Sequence, residues 1–120
     1  MGCRLARTAD VLVLDHRGTR YHTDLAAAEA LLARAPGARV FADNVLSPGA
    51  PLFLHAIEGG YDAAVHEVHE FLQPSLKDWV VICSVQRGHL DCRGVALRAP
   101  PELQRWSAEV DLISWRSMHE

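Results

Sequence analysis

Asp10-Val11-Leu12-Val13-Leu14-Asp15 is a short unbroken apolar run bounded by acids, the pattern of a β-strand buried on both faces, as in a parallel sheet. After a polar turn over residues 16–21, the stretch 23–35 is rich in Ala and Leu. Its Leu25, Ala28 and Leu32 line one helical face, and Thr23 is placed to serve as N-cap. Pro36-Gly37 stops this helix, and Ala38-Arg39-Val40-Phe41-Ala42 follows as a second short strand that closes on Asp43-Asn44. Strand, helix and strand in this order predict a βαβ unit. Its right-handed crossover lays the strands parallel and brings their C-terminal ends to one edge of the sheet.

The rest of the chain reads as a smaller set of elements. Ser47-Pro48-Gly49-Ala50-Pro51 predicts a turn leading into a helix with Pro51 at its first position and residues 52–57 as its body. Strand-like runs over 61–71 and 78–86, joined by a short loop with Pro74 and Ser75, favour antiparallel pairing. After Arg87-Gly88 the segment to Ala99 reads as irregular. Pro100-Pro101 then opens an amphipathic helix over 100–117, with Leu103, Trp106, Val110 and Ile113 on the side expected to cover the sheet. A single α/β domain over residues 1–120 is the expectation.

Composition narrows the function classes. With 49% hydrophobic and 22% charged residues, the 120-residue chain is an ordinary globular one. Its formal charge of -3 argues against a phosphate-backbone binder, so nucleic acid is not an expected partner. No apolar run approaches the roughly 20 residues that span a bilayer, and no secretion signal opens the chain, so the expectation is cytoplasmic with no membrane partner. Met1-Gly2-Cys3 lacks the Ser or Thr that myristoylation needs where this sequence has Ala6. Cys3, Cys83 and Cys92 show no C-x-x-C spacing, so they are read as reduced thiols, with Cys83 in the core.

Ligands in open α/β sheets lie beyond the carboxyl ends of the strands. Asp15, Asp43 and Asn44 would therefore converge there, and two carboxylates with one amide oxygen suit a hard divalent ion such as Mg²⁺. The bland alternative is that each Asp caps the turn that follows it. His66-Glu67-Val68-His69 is not a zinc motif, because residues i and i+3 of a strand point to opposite faces.

Two separated motifs in the right order carry a family resemblance. One is Leu14-Asp15-His16 with Arg20-Tyr21 downstream. The other is Ala42-Asp43-Asn44-Val45 with Pro48-Gly49-Ala50-Pro51 and Phe53-Leu54. Over about residues 10–87 the chain resembles the C-terminal half of catechol O-methyltransferase, a metal-dependent, S-adenosylmethionine-using enzyme of Rossmann-like fold. The resemblance implies the C-terminal part of that fold, with parallel strands, a terminal antiparallel strand and an added C-terminal helix. It implies Asp15, Asp43 and Asn44 as Mg²⁺ ligands and Asp15 and His16 at the cosubstrate. Asn44, Pro48 and Gln73 would line the site of a catechol or other vicinal-diol phenol. Direct methyl transfer to a metal-bound hydroxyl is the implied reaction.

The chain departs from that family in definite places. The family's lysine base falls on Gly18, so the catalytic base is unassigned; Arg17 holds its proton, and His22 is a weak substitute. Arg17 also stands where an aromatic gate is usual, and Gln73 where a glutamate is usual. No Gly-rich turn follows a first strand, so little cosubstrate affinity is expected of this chain alone. A truncated product, an incomplete gene model or half of a split protein is expected, with self-association or a partner chain covering an open sheet edge. The competing reading is a non-catalytic scaffold or interaction module derived from the same fold.

Overall fold

The computed structural model of the chain describes residues 7–58, 60–69, 71–85 and 91–119, with the side chains of 47, 48 and 114–119 left aside. Four strands form one mixed sheet in the order β1-β2-β4-β3. Strand β1 (Val11–Leu14) pairs in parallel with β2 (Arg39–Ala42), from Val11 opposite Arg39 to Leu14 opposite Ala42. The crossover between them is helix α1 (Tyr21–Leu32). This is the βαβ unit that the acid-bounded strand and the Ala/Leu-rich segment predict.

Strands β3 (Tyr61–His69) and β4 (Lys77–Val85) form an antiparallel hairpin, and β4 inserts beside β2, with Arg39 opposite Ser84 and Ala42 opposite Val81. Residues 77–80 of β4 thus run on past the tip of β2. Helix α2 (Pro51–Ile57) carries Pro51 at its start, where a missing N–H costs nothing. Helices α3 (Cys92–Leu97) and α4 (Pro101–His119) complete the helical layer. The core lies between sheet and helices, around Leu14, Tyr21, Leu25, Val40, Phe53, Val81 and Cys83. The Tyr21 ring meets Phe53 edge-on at 5.8 Å, a favoured aromatic geometry. Cys83 and Cys92 are buried free thiols, each pushed up to about 12, chiefly by burial, which keeps them protonated.

Four expectations need correction. Strand β1 is buried on one face only, since Val11 and Val13 are each 60% exposed, because nothing among the described residues packs over that face. Helix α1 begins at Tyr21 with Arg20 at its N-cap position and no side-chain cap, so Thr23 lies inside the first turn. A 3₁₀ turn, Gly18–Arg20, feeds straight into it. The segment read as irregular contains α3, whose N-cap is Asp91 accepting from the Gly94 N–H; residues 86–90 lie outside the described residues. Helix α4 buries Ser107 and Val110 while Trp106 and Ile113 stay 54% and 61% exposed. It packs mainly on α2 and on the turns Gly18–Arg20 and Val45–Gly49, not across the sheet.

Candidate functional site

The tips of β1 and β2 are joined one residue beyond their strands: the Asp43 N–H donates to the Leu14 carbonyl at 3.0 Å. Continuing the parallel register by one step sets Asp15 beside Asp43. From below, the buried Tyr21 hydroxyl donates to the Asp43 carbonyl at 2.8 Å. Its phenol is pushed up to about 12, first by burial and then by the negative charges of Asp15 and Asp43, with Asp78 adding to them; a hydrogen bond with the His16 backbone opposes the shift. Both carboxylates thus act on the same hydroxyl.

Asn44 follows in the left-handed region, with φ of 57°. Asn tolerates that conformation better than most residues. Its backbone N–H donates to Asp43 Oδ1 at 2.8 Å, and its side-chain Nδ2 donates to Asp78 Oδ2 at 2.9 Å. Asp78, only 6% exposed, also accepts from the N–H of Leu46 at 3.1 Å and of Trp79 at 2.7 Å. The chain then makes a wide turn over Val45–Gly49, closed by the Ala50 N–H on the Val45 carbonyl at 2.9 Å, and enters α2.

The other predicted residues are placed as follows. His16 bonds Asp24 through Nε2 and lies tilted on the Tyr21 ring at 5.2 Å. Gly18 is buried against the backbone of Gly49. Arg17, whose guanidinium could have met a phenolate, is instead committed to Asp111, with Nε 2.9 Å from Oδ1. His22 lines a cavity of about 470 Å³ with Thr23, Glu29, Leu52, Arg93 and Gln104, and none of Asp15, Asp43 or Asn44 lines it. Burial, then the Arg20 charge, holds the His22 imidazole below its ordinary pKa. Gln73 sits in the exposed hairpin loop, its carbonyl accepting from Leu76 at 2.9 Å. The Pro48 side chain lies outside the described residues.

So Asp15, Asp43 and Asn44 share one edge, with His16 on the adjoining turn, whereas Gly18 and Arg17 are tied into packing. One residue of this edge, Asp78, carries no sequence signal of its own, whereas Tyr21 belongs to the first of the two motifs. Asp78 heads an apolar run, and only the antiparallel register, with Val81 opposite Ala42, reveals that it reaches the tip of β2. Among the described residues, no three His, Cys, Asp or Glu side chains are grouped to hold a metal ion. Asp15, Asp43 and Asn44 together offer two carboxylates, the third donor being an amide.

No family model matches the chain. Over 74 residues it is 39% identical to proteins named transmembrane O-methyltransferase homolog in Mus musculus and Rattus norvegicus, a match covering 60% of this chain and 29% of each relative. It is equally similar, at 39% over 74 residues, to transmembrane O-methyltransferase of Homo sapiens, of which 25% is covered. The chain thus spans under a third of the length of these curated relatives. The similarity supports an O-methyltransferase relationship. Among the described residues, no helix is long and apolar enough to cross a membrane.

Proposed function

We propose that this chain carries the metal- and acceptor-binding part of an S-adenosylmethionine-dependent O-methyltransferase of the catechol type, working in the cytoplasm. The observation that supports it best is the bond from the Asp43 N–H to the Leu14 carbonyl, which sets two acids side by side at the carboxyl edge of a parallel pair. The donor set fits Mg²⁺: Asp15 and Asp43 offer carboxylates, and Asn44 keeps its amide oxygen because its Nδ2 is spent on Asp78. Asp15, Asp43 and Asn44 would hold the ion. When bound, it would supply electrostatic stabilisation of a phenolate. In the transfer itself, the acceptor oxygen forms a bond to the methyl carbon as the carbon–sulfur bond of the sulfonium breaks and sulfur keeps the electron pair.

The chain's own residues orient rather than take the proton, which the acceptor hydroxyl would give up to solvent as the methyl group arrives. His16 is tied to Asp24 and laid on Tyr21, and in this reading it serves the cosubstrate side together with Asp15. Pro48 and Gln73 belong to the acceptor side in this reading. A vicinal-diol phenol is the acceptor class, because two adjacent hydroxyl oxygens complete a hard-ion octahedron. A partner polypeptide covering the free edge of β1 would bring the cosubstrate.

The non-catalytic module remains a second reading, favoured by Gly18. A Cβ there would lie 2.2 Å from the Gly49 carbonyl oxygen, so a side chain at the position of the family's base would have to push the Gly49 backbone aside. Calorimetric titration with Mg²⁺ separates the two. The enzyme-derived reading expects saturable binding that Asp43→Ala weakens at least about tenfold, with the circular-dichroism spectrum unchanged. Absence of Mg²⁺ binding in the unaltered chain would overturn it and leave the module.

A further inference from the structure

We propose that Asp78 is a positioning residue, the buried carboxylate that turns the Asn44 amide so that its oxygen is presented as a cation donor. The proposal rests on the metal reading above and extends it to a residue of the β3–β4 hairpin.

A carboxylate at 6% exposure is costly unless hydrogen-bonded on both oxygens. Asp78 meets that requirement: Oδ2 accepts from Asn44 Nδ2 at 2.9 Å, and Oδ1 accepts from the N–H groups of Leu46 and Trp79 at 3.1 and 2.7 Å. A carboxylate only accepts. The amide must therefore face it with NH₂, because the flipped amide would set oxygen against oxygen. Asn44 Oδ1 is thereby the uncommitted end, with no hydrogen bond among the described residues.

The same contacts hold the backbone. Asn44 stands at φ of 57°, a conformation that costs an L-residue roughly 1 kcal/mol or more unless its surroundings enforce it. Two hydrogen bonds on opposite sides of this residue, its N–H to Asp43 Oδ1 and its Nδ2 to Asp78 Oδ2, enforce it. The Leu46 N–H on Asp78 fixes the chain two residues on. Asp43 and Asn44 are in this way built as a rigid corner whose orientation is set from β4, a strand that ligates nothing itself. Loss of such a supporting partner typically costs about 10- to 100-fold in metal affinity.

The test uses the full ¹⁵N-labelled chain with Asp78→Asn, which keeps shape and one acceptor, and Asp78→Ala. In the unaltered chain the Asn44 side-chain NH₂ pair should be well separated, with one proton protected from exchange. In Asp78→Ala the pair should collapse to solvent-averaged positions, with Asp78→Asn between. Mn²⁺ affinity, read from the free-ion electron paramagnetic resonance signal, should fall at least about tenfold in Asp78→Ala and less in Asp78→Asn. An Asn44 pair already solvent-averaged in the unaltered chain overturns the proposal even if both variants unfold. So does unchanged Mn²⁺ affinity in a folded variant that has lost the protected proton. Failure of the unaltered chain to bind Mn²⁺ overturns the metal reading and the donor role with it, in a measurement separate from the variants.

Discussion

Gly18 is defined by contact: a Cβ built there would lie 2.2 Å from the Gly49 carbonyl oxygen and 3.2 Å from the Ala50 Cβ. The opposing atom is backbone, so it cannot swing aside. Gly18→Ala should cost about 1–3 kcal/mol, read as a lower denaturant midpoint; an unchanged midpoint would show that the two turns do not meet. The absence of a side chain is visible in the sequence, but its packing cause is not, because Gly49 is 31 positions away. Tyr21 and Tyr61 are the chain's two tyrosines. Burial and the charges of Asp15 and Asp43 push Tyr21 to about 12, and burial with the Glu29 bond also pushes Tyr61 upward. Both phenols hold their proton more tightly folded than unfolded. The stability they contribute is therefore complete below the ordinary value of 10.0 and is lost as pH rises above it, for Tyr21 towards about 12. Ultraviolet titration should show no tyrosinate step near pH 10.0 in the folded chain, the signal appearing together with unfolding. A step there with native circular dichroism would contradict the burial.

At the scale of elements, α4 is fastened by a polar contact. Asp111 Oδ1 accepts from Thr19 Oγ1 at 2.7 Å and lies 2.9 Å from Arg17 Nε. Those partners, 92 and 94 positions away, explain why the apolar stripe misidentifies the helix's buried face. An acid next to Val110 turns inward because the Gly18–Arg20 turn meets it, and Trp106 and Ile113 turn out. The Arg17 and Asp111 side chains are 34% and 47% exposed, so solvent weakens the ion pair. Asp111→Ala should cost about 1–2 kcal/mol, with α4 amides exchanging hydrogen faster before any others. Uniform exchange across the chain would contradict that. The parallel pair is legible in the sequence because strand runs and a Pro-Gly stop are local signals. The start of α1 is not, since the preceding turn replaces a side-chain cap. Nor is α3, where a glycine at its third position masks the Asp91 cap.

For the whole molecule, what matters is which surfaces the described residues leave uncovered. Strand β1 borders the sheet with no neighbour on its outer side among them, and Val11 and Val13 face outward at 60% exposure. An apolar acid-bounded run is the same in sequence whether or not a layer covers it, so sequence alone overstates the burial of its second face. The carboxyl edge itself is legible, since it follows from chain order and crossover handedness alone. Its support from Asp78 is not, because it depends on a strand register set by residues 35 or more positions from β2's tip. Anomalous scattering from crystals grown with Mn²⁺ tests most directly whether one cation binds at that edge. The expected result is a peak ligated by Asp15, Asp43 and Asn44. An empty edge at saturating Mn²⁺, or Asp15 and Asp43 carboxyl groups turned away from each other, would contradict it.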